Sequence, residues 1–404
     1  MSHLSVSRRA LLLGTGALAF SNAAGRVAFA ASQGDRKLVV VVLRGAMDGL
    51  AAVAPYGDPN YQSLRRRLAL GPPGSTGGVM PIDAGFGLHP QFQFLAEAWR
   101  SQELAIMHAV SSPYRDRSHF DGQDVLESGG DKVFAVSDGW LNRAIALLPP
   151  GTEGVAISST IPLILRGSAK VTSWFPSSAP SASEDTLYRL MDLYAGDPLL
   201  APALATAMET ETVVGGQTMA GGGKGAAGGR YGAAAVQQLM EAAAKILIAP
   251  NGPAAAVVSI DGWDTHANQG AAQGLLATRF AALDAGLRAL KQALGNVWSR
   301  TAVITATEFG RTVAENGTGG TDHGTASVAF LLGGAVKGGR MLGEWPGLAQ
   351  SALYEGRDLA PANDLRRLFT SVMASHWALD PRLLADRVFF HARAMPALEG
   401  LIRT

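Results

Sequence analysis

The stretch Ala254–Ala306, AAAVVSIDGWDTHANQGAAQGLLATRFAALDAGLRALKQALGNVWSRTAVITA, decides the fold. It opens on an apolar run, Ala254–Ile260, of strand length. Leu276, Phe280, Leu283, Leu287, Leu290 and Leu294 then recur at alternating steps of four and three, which lines up one apolar stripe on a long helix. A second β-branched run, Thr301–Ala306, closes the unit. Strand, amphipathic helix and strand make a βαβ crossover, whose hand is right in nearly all proteins. Further runs at Lys37–Leu43, Leu104–Val110 and Val328–Leu332 are continuous rather than alternating, as in strands covered on both faces. The pattern predicts a mostly parallel sheet with helices on both sides. Helices are expected near 91–100, 119–128, 140–148, 184–194, 233–248 and 364–374.

Composition supports a sizeable core. Of 404 residues, 47% are hydrophobic and only 17% charged, unlike a disordered chain. The formal charge of +1 gives no electrostatic footprint for nucleic acid. Cysteine is absent, which excludes thiolate metal ligands, a cysteine nucleophile and a disulfide framework.

At the N-terminus, Ser7-Arg8-Arg9 precedes the apolar run Ala10–Phe20, and Ala28-Phe29-Ala30 supplies small residues for cleavage. Residues 1–30 are expected to be a twin-arginine signal peptide, with the translocase as partner during export and a periplasmic or secreted destination. The run is too short for a membrane span, which needs about 20 apolar residues, and no comparable run follows. The expectation is one domain over 31–404, interrupted by a flexible glycine-dense tract at 215–232 (GGQTMAGGGKGAAGGRYG). That tract resembles a phosphate-binding loop only superficially, because the Lys224-Gly225 order is wrong and no strand precedes it.

In an open parallel sheet, ligands bind beyond the carboxyl ends of the strands. Arg44-Gly45-Ala46-Met47-Asp48 follows the first strand, and Ser111 to Asp121 follows the second. Asp261-Gly262-Trp263-Asp264-Thr265-His266 follows the third, and Glu308 to His323 follows the fourth. Carboxylates and imidazoles on one rim suit a divalent cation or acid/base chemistry. The metal-ligand candidates are Asp264, His266, Asp322, His323, Asp48 and Glu308. Each has a structural alternative: Asp48 before Gly49 could close a turn, and Glu308 could pair with Arg311 as a brace. Gly320 and Gly324 could let the backbone approach a ligand closely. Ser118 stands before a helix, where a hydroxyl either caps it or faces an anion at its positive end. His119 and His108 are further imidazoles nearby; His89, His376 and His391 read as surface or satisfied core residues.

The motifs VVVVLRGAMDGL, RSHFDGQDVLESG, DGWL, SIDGWDTH, TEFGR and GGTDHGTAS, in this order, resemble those of the family catalogued as domain of unknown function 1501, a resemblance that runs from about Leu38 to Leu348. That family is placed with the alkaline phosphatase and sulfatase superfamily. The resemblance implies a three-layer α/β/α sandwich, with one or two divalent ions (Zn, Ca, Mg or Mn) at the strand ends. It also implies cleavage of phosphate or sulfate esters, with a small-molecule or glycan ester as substrate. On that basis Ser118 would be the nucleophile, and His119 would assist proton transfer. Arg311 or Arg44 would stabilise the anionic transition state. Ser111-Ser112-Pro113-Tyr114-Arg115 also echoes the sulfatase S-x-P-x-R signature. Two departures stand out: Arg44-Gly45 replaces the usual Asp at the first strand end, and Phe309 stands where a ligand histidine is usual. The alternative is an exported binding or assembly protein that kept the sandwich and lost catalysis.

Overall fold

The computed structural model describes residues 35–83, 85–176, 184–214, 232–390 and 395–403. The expected signal peptide, His391 and all but the last residue of the glycine-dense tract lie outside the described residues.

Among the described residues the main sheet holds nine strands: β1 (Lys37–Arg44), β5 (Leu104–Ser111), β6 (Gly154–Ile157), β7 (Val171–Trp174), β8 (Ala255–Asp261), β9 (Thr301–Ala306), β10 (Ser327–Leu332), β11 (Arg340–Leu342) and β12 (Asn363–Asp364). Their order is β11-β5-β10-β9-β1-β8-β6-β7, with β12 also on β5. A small separate sheet joins β2 (Val53–Ala54), β3 (Met80–Asp83) and β4 (Phe86–Leu88). Every pairing in the main sheet is parallel except those of β10, which runs against both β9 and β5. The segment between β9 and β10 therefore leaves and re-enters the sheet on the same rim, and it is a long loop rather than a crossover.

Alternation along the strands builds two cores. Val39, Val41 and Leu43 pack into one, and Leu38, Val40 and Val42 into the other. The first core is covered by helices Gln93–Arg100, Ala233–Ile248 and Leu275–Leu294; the second by Trp140–Ile145 and Leu365–His376. The result is an α/β/α sandwich around a mostly parallel sheet, as expected. All six stripe residues of the 275–294 helix are buried in the first core. Each contributes roughly 1.5–3 kcal/mol relative to exposure. β6, β7 and the helix Leu200–Val214 were not expected from the sequence. The two strands are four residues each, too short for periodicity to register.

Candidate metal centre

The rim begins where β1 ends. Gly45 has φ +116°, and a Cβ there would lie 2.7 Å from the Asp264 amide nitrogen. Only glycine lets the turn after β1 cross the segment after β8 this closely. The Gly45 N–H donates to Glu308 Oε1 at 2.8 Å, which ties the turn to the loop after β9.

Three imidazoles converge on Asp264. Its Oδ1 lies 3.0 Å from His266 Nε2 and 3.2 Å from His323 Nε2, and its Oδ2 lies 3.5 Å from His119 Nε2. His266 Nε2 and His323 Nε2 are 3.0 Å apart. Donor atoms of His119, Asp264 and His323 all fall within 4.8 Å of one another.

The other nitrogen of each ring has its own acceptor. His119 Nδ1 meets Glu308 Oε1 at 2.8 Å, His266 Nδ1 meets Asp322 Oδ1 at 3.3 Å, and His323 Nδ1 meets the Arg117 carbonyl at 2.9 Å. A carbonyl or carboxylate can only accept, so each ring is held from behind through Nδ1 and presents Nε2 to the shared Asp264 carboxylate. His119 Nε2 is buried and has no hydrogen-bond partner. Lone pairs this close repel unless a cation or a proton lies between them. A backing acceptor behind a metal-binding imidazole is the usual means of fixing its tautomer and orientation.

Charge states suit such a site. Burial pushes the Glu308 carboxyl up, but the bond from His119, with those from Gly45 and Gln123, outweighs it and holds the group below its ordinary range. Burial likewise raises Asp264, and the bond and charge of Arg311 bring it below the usual value. The bond to Glu308 raises His119, while burial lowers His323. Ionised carboxylates and a neutral His323 are the states that cation binding needs.

A supporting layer holds these groups. Arg311 is buried, donates to Asp264 Oδ1 at 2.6 Å, and is pinned by the Thr321 hydroxyl at 3.1 Å and the Thr321 carbonyl. Asp358, fully buried, accepts from Arg117 Nε (3.0 Å), Thr325 Oγ1 (2.9 Å) and Arg357 Nε (2.8 Å). Arg357 also donates to the His323 carbonyl at 2.6 Å. Arg117 has φ +61°, an uncommon conformation for a non-glycine residue, and its carbonyl is the one that receives His323 Nδ1. Phe309 stacks on His119 with centroids 5.0 Å apart and planes at 25°. It thus braces a ligand candidate from behind.

Several expected site residues are placed elsewhere. Asp48 caps the short helix Gly49–Ala52, accepting from Leu50 and Ala51, and its Oδ2 receives Arg65 and Gln269. Its oxygens are thereby taken up in a buried structural network. Glu308 does not pair with Arg311 and does not point into the cluster; it lies behind His119. Asp322 lies behind His266 and also accepts from Asn316 at 3.0 Å. Arg44 is bound to Glu127 at 2.5 Å and Gln123 at 2.6 Å, facing a neighbouring cleft. Arg311 spends its charge on Asp264. Ser118 occupies the N-cap position of the helix His119–Ser128 but makes no side-chain cap bond; its N–H donates to Tyr114 Oη at 3.0 Å. Ser111 ends β5 with a buried hydroxyl lacking a partner, and Ser112 accepts from the Tyr114 N–H at 3.3 Å. Gly320 and Gly324 serve chain packing: a Cβ would lie 2.4 Å from the His266 backbone and 2.3 Å from that of Arg311, respectively. His108 is a core residue bonded to the Val53 carbonyl. No sequence signal marked Asp358 or the Arg117 carbonyl, because a backbone acceptor and a distant carboxylate carry no local pattern.

The fold and this rim define an α/β/α sandwich protein with a histidine–carboxylate cluster at its strand ends. Residues 95–388 match the family described as "Protein of unknown function (DUF1501)", and the chain belongs to it. No curated protein sequence matches the chain. Among solved structures, the chain is similar to the zinc-bound C-terminal periplasmic domain of EcEptC from Escherichia coli, at 9% identity and TM-score 0.36, covering 75% of this chain and 74% of that one. It is similar to a phosphonate monoester hydrolase of Agrobacterium radiobacter at 12% identity and TM-score 0.37, covering 85% and 74%. An alkaline phosphatase from the Antarctic bacterium TAB5 matches at 14% identity and TM-score 0.32, covering 74% and 92%. At such scores the chemistry of this chain has to be read from its own residues.

Proposed function

We propose that the protein is an exported, metal-dependent hydrolase of phosphate or sulfate esters. One observation carries this reading: the Nε2 atoms of His119, His266 and His323 converge on Asp264 while each Nδ1 is held by an acceptor. The orphaned, buried His119 Nε2 fits a bound ion, and three nitrogens with one carboxylate suit zinc better than the all-oxygen preferences of calcium or magnesium. A divalent ion held there would supply Lewis acidity toward an ester oxygen.

The protein's own groups have distinct parts. Asp264 is held by Arg311, so that guanidinium positions the carboxylate instead of touching the ester. Ser118 stands at the first turn of the ten-residue helix His119–Ser128, whose free N–H groups favour an anion. Its hydroxyl is the nucleophile candidate. Glu308 holds the His119 ring in place through Nδ1. Export rests on the Arg8-Arg9 segment, and no helix among the described residues is long and apolar enough to cross a membrane.

Elemental analysis of protein purified from its native host, with hydrolysis of p-nitrophenyl phosphate and sulfate, tests this. A stoichiometric metal with ester cleavage is expected; neither metal nor cleavage would discard it. A second reading, a binding or assembly protein without catalysis, draws on Phe309, which fills the position of a usual ligand. His323→Ala and His266→Ala separate the two. Loss of metal and of cleavage with the fold intact favours the enzyme, whereas unchanged metal content and an unaltered cellular phenotype favour the binding protein.

A further inference from the structure

The helix His119–Ser128 has two working sides. His119 faces the histidine cluster, while Phe120, Gln123, Asp124 and Glu127 lie on one stripe at steps of three, one and three and line a separate cleft of about 570 Å³. The lining of that cleft includes Arg44, Ser259 and Ser158, at or near the carboxyl ends of β1, β8 and β6. Those three strands are neighbours in the sheet, so the cleft lies on the same rim as the cluster, where α/β sheets bind ligands. Gln123 joins the two: its Oε1 accepts from Arg44 at 2.6 Å, and its Nε2 donates to Glu308 Oε1 at 3.3 Å.

We propose that this cleft binds carbohydrate, as the subsite for the alcohol portion of an ester whose anionic group lies at the histidine cluster. The link to ester chemistry rests on the function proposed above; sugar binding by the cleft does not. Two phenylalanines line the cleft with their rings in solvent: Phe120 is 86% exposed and Phe134 76%. Phe134 has φ +56°, a conformation rare for a bulky residue, and its N–H is anchored to Asp124 Oδ1 at 2.7 Å. Backbone strain that holds an aromatic ring in water beside a cleft is better explained by a ligand than by packing.

The remaining lining fixes the ligand's character. Arg44 and Arg166 are balanced by Asp124 and Glu127, and Arg44 is bound to Glu127 at 2.5 Å. A polyanion would meet both carboxylates, and a lipid chain would have to strip water from four charged groups without replacing their hydrogen bonds. A pyranose has no net charge, offers donors and acceptors at its edge, and has an apolar face for an aromatic ring. The volume lies within the range of small-molecule sites.

The test uses the full chain after export and a panel of cello-, chito-, malto- and xylo-oligosaccharides, read by saturation-transfer NMR and calorimetry. At least one is expected to bind. Phe120→Ala and Phe134→Ala should each weaken that binding by about tenfold, the worth of one aromatic face, and Phe134→Trp should retain it. His323→Ala should leave sugar binding unchanged, so failure of the hydrolase reading and failure of this one are told apart. Absence of binding across the panel would overturn the proposal, as would binding indifferent to both phenylalanines. Phenylalanine-dependent adsorption to phosphatidylglycerol vesicles without sugar binding would also overturn it, and would assign the two rings to a membrane surface.

Discussion

The histidines of the core and those of the rim make opposite use of one side chain. His89, His108 and His376 are buried, and each turns Nε2 to a backbone carbonyl: Ala271 at 3.0 Å, Val53 at 2.8 Å and Lys37 at 3.0 Å. Burial depresses all three pKa values to about 4, so they stay neutral in the fold. At the rim it is Nδ1 that is satisfied, and Nε2 is turned to a shared point. What separates a structural histidine from a ligand candidate here is whether Nε2 ends on a lone backbone carbonyl or meets other imidazoles at one carboxylate.

The largest expected effect breaks the core side of this contrast. A neutral histidine whose folded pKa is about 4 against an ordinary 6.5 stabilises the fold fully above 6.5, and that stability is lost as pH falls toward 4. The loss is on the order of 3 kcal/mol per histidine. Urea unfolding at pH 7 and pH 4.5 should show the drop, and His376→Gln should flatten the slope. An unchanged midpoint would contradict it.

The rim side is next. His323→Ala should weaken zinc binding by more than about a hundredfold while leaving the urea midpoint at pH 7 near wild type, as read by competition with a chromogenic chelator. A parallel fall in stability would make His323 a structural residue like His108.

A smaller effect sharpens the same line. Asp358→Asn weakens the grip on Arg117, whose carbonyl receives His323 Nδ1. The variant should lose about 10- to 100-fold in zinc affinity. Nitrogen NMR should show the His323 ring sampling both tautomers, a signature that mere loosening of the fold would not produce.

The sheet's parallel strands, their cover of helices and the ligand-rich loops are legible in the sequence. The apolar runs at 37–43, 104–110, 254–260 and 301–306 are long enough to be unambiguous, and the six-residue stripe of the 275–294 helix admits one amphipathic reading. The reversed direction of β10 could not be read, because a strand buried on both faces looks the same in either direction. The roles of Asp48, Glu308 and Arg311 were equally hidden. Each is a charged residue on a rim loop, and only its partners tell a cap or a brace from a ligand. Phe309 stood out as a departure, yet its stacking on His119 depends on the helix after β5 meeting the loop after β9.

Sequence alone determined the α/β layering and the pool of residues on one rim, because periodicity and strand-end position are local properties of the chain. Tertiary structure decided which of those residues converge: His119 opens the helix after β5, Asp264 and His266 lie in the loop after β8, and His323 lies in the loop after β9. Their inward-facing nitrogens are set by acceptors as remote as Glu308 and the Arg117 carbonyl. Hydrogen-bond direction between distant segments leaves no trace in the order of residues, and here it is what separates a ligand from a neighbour.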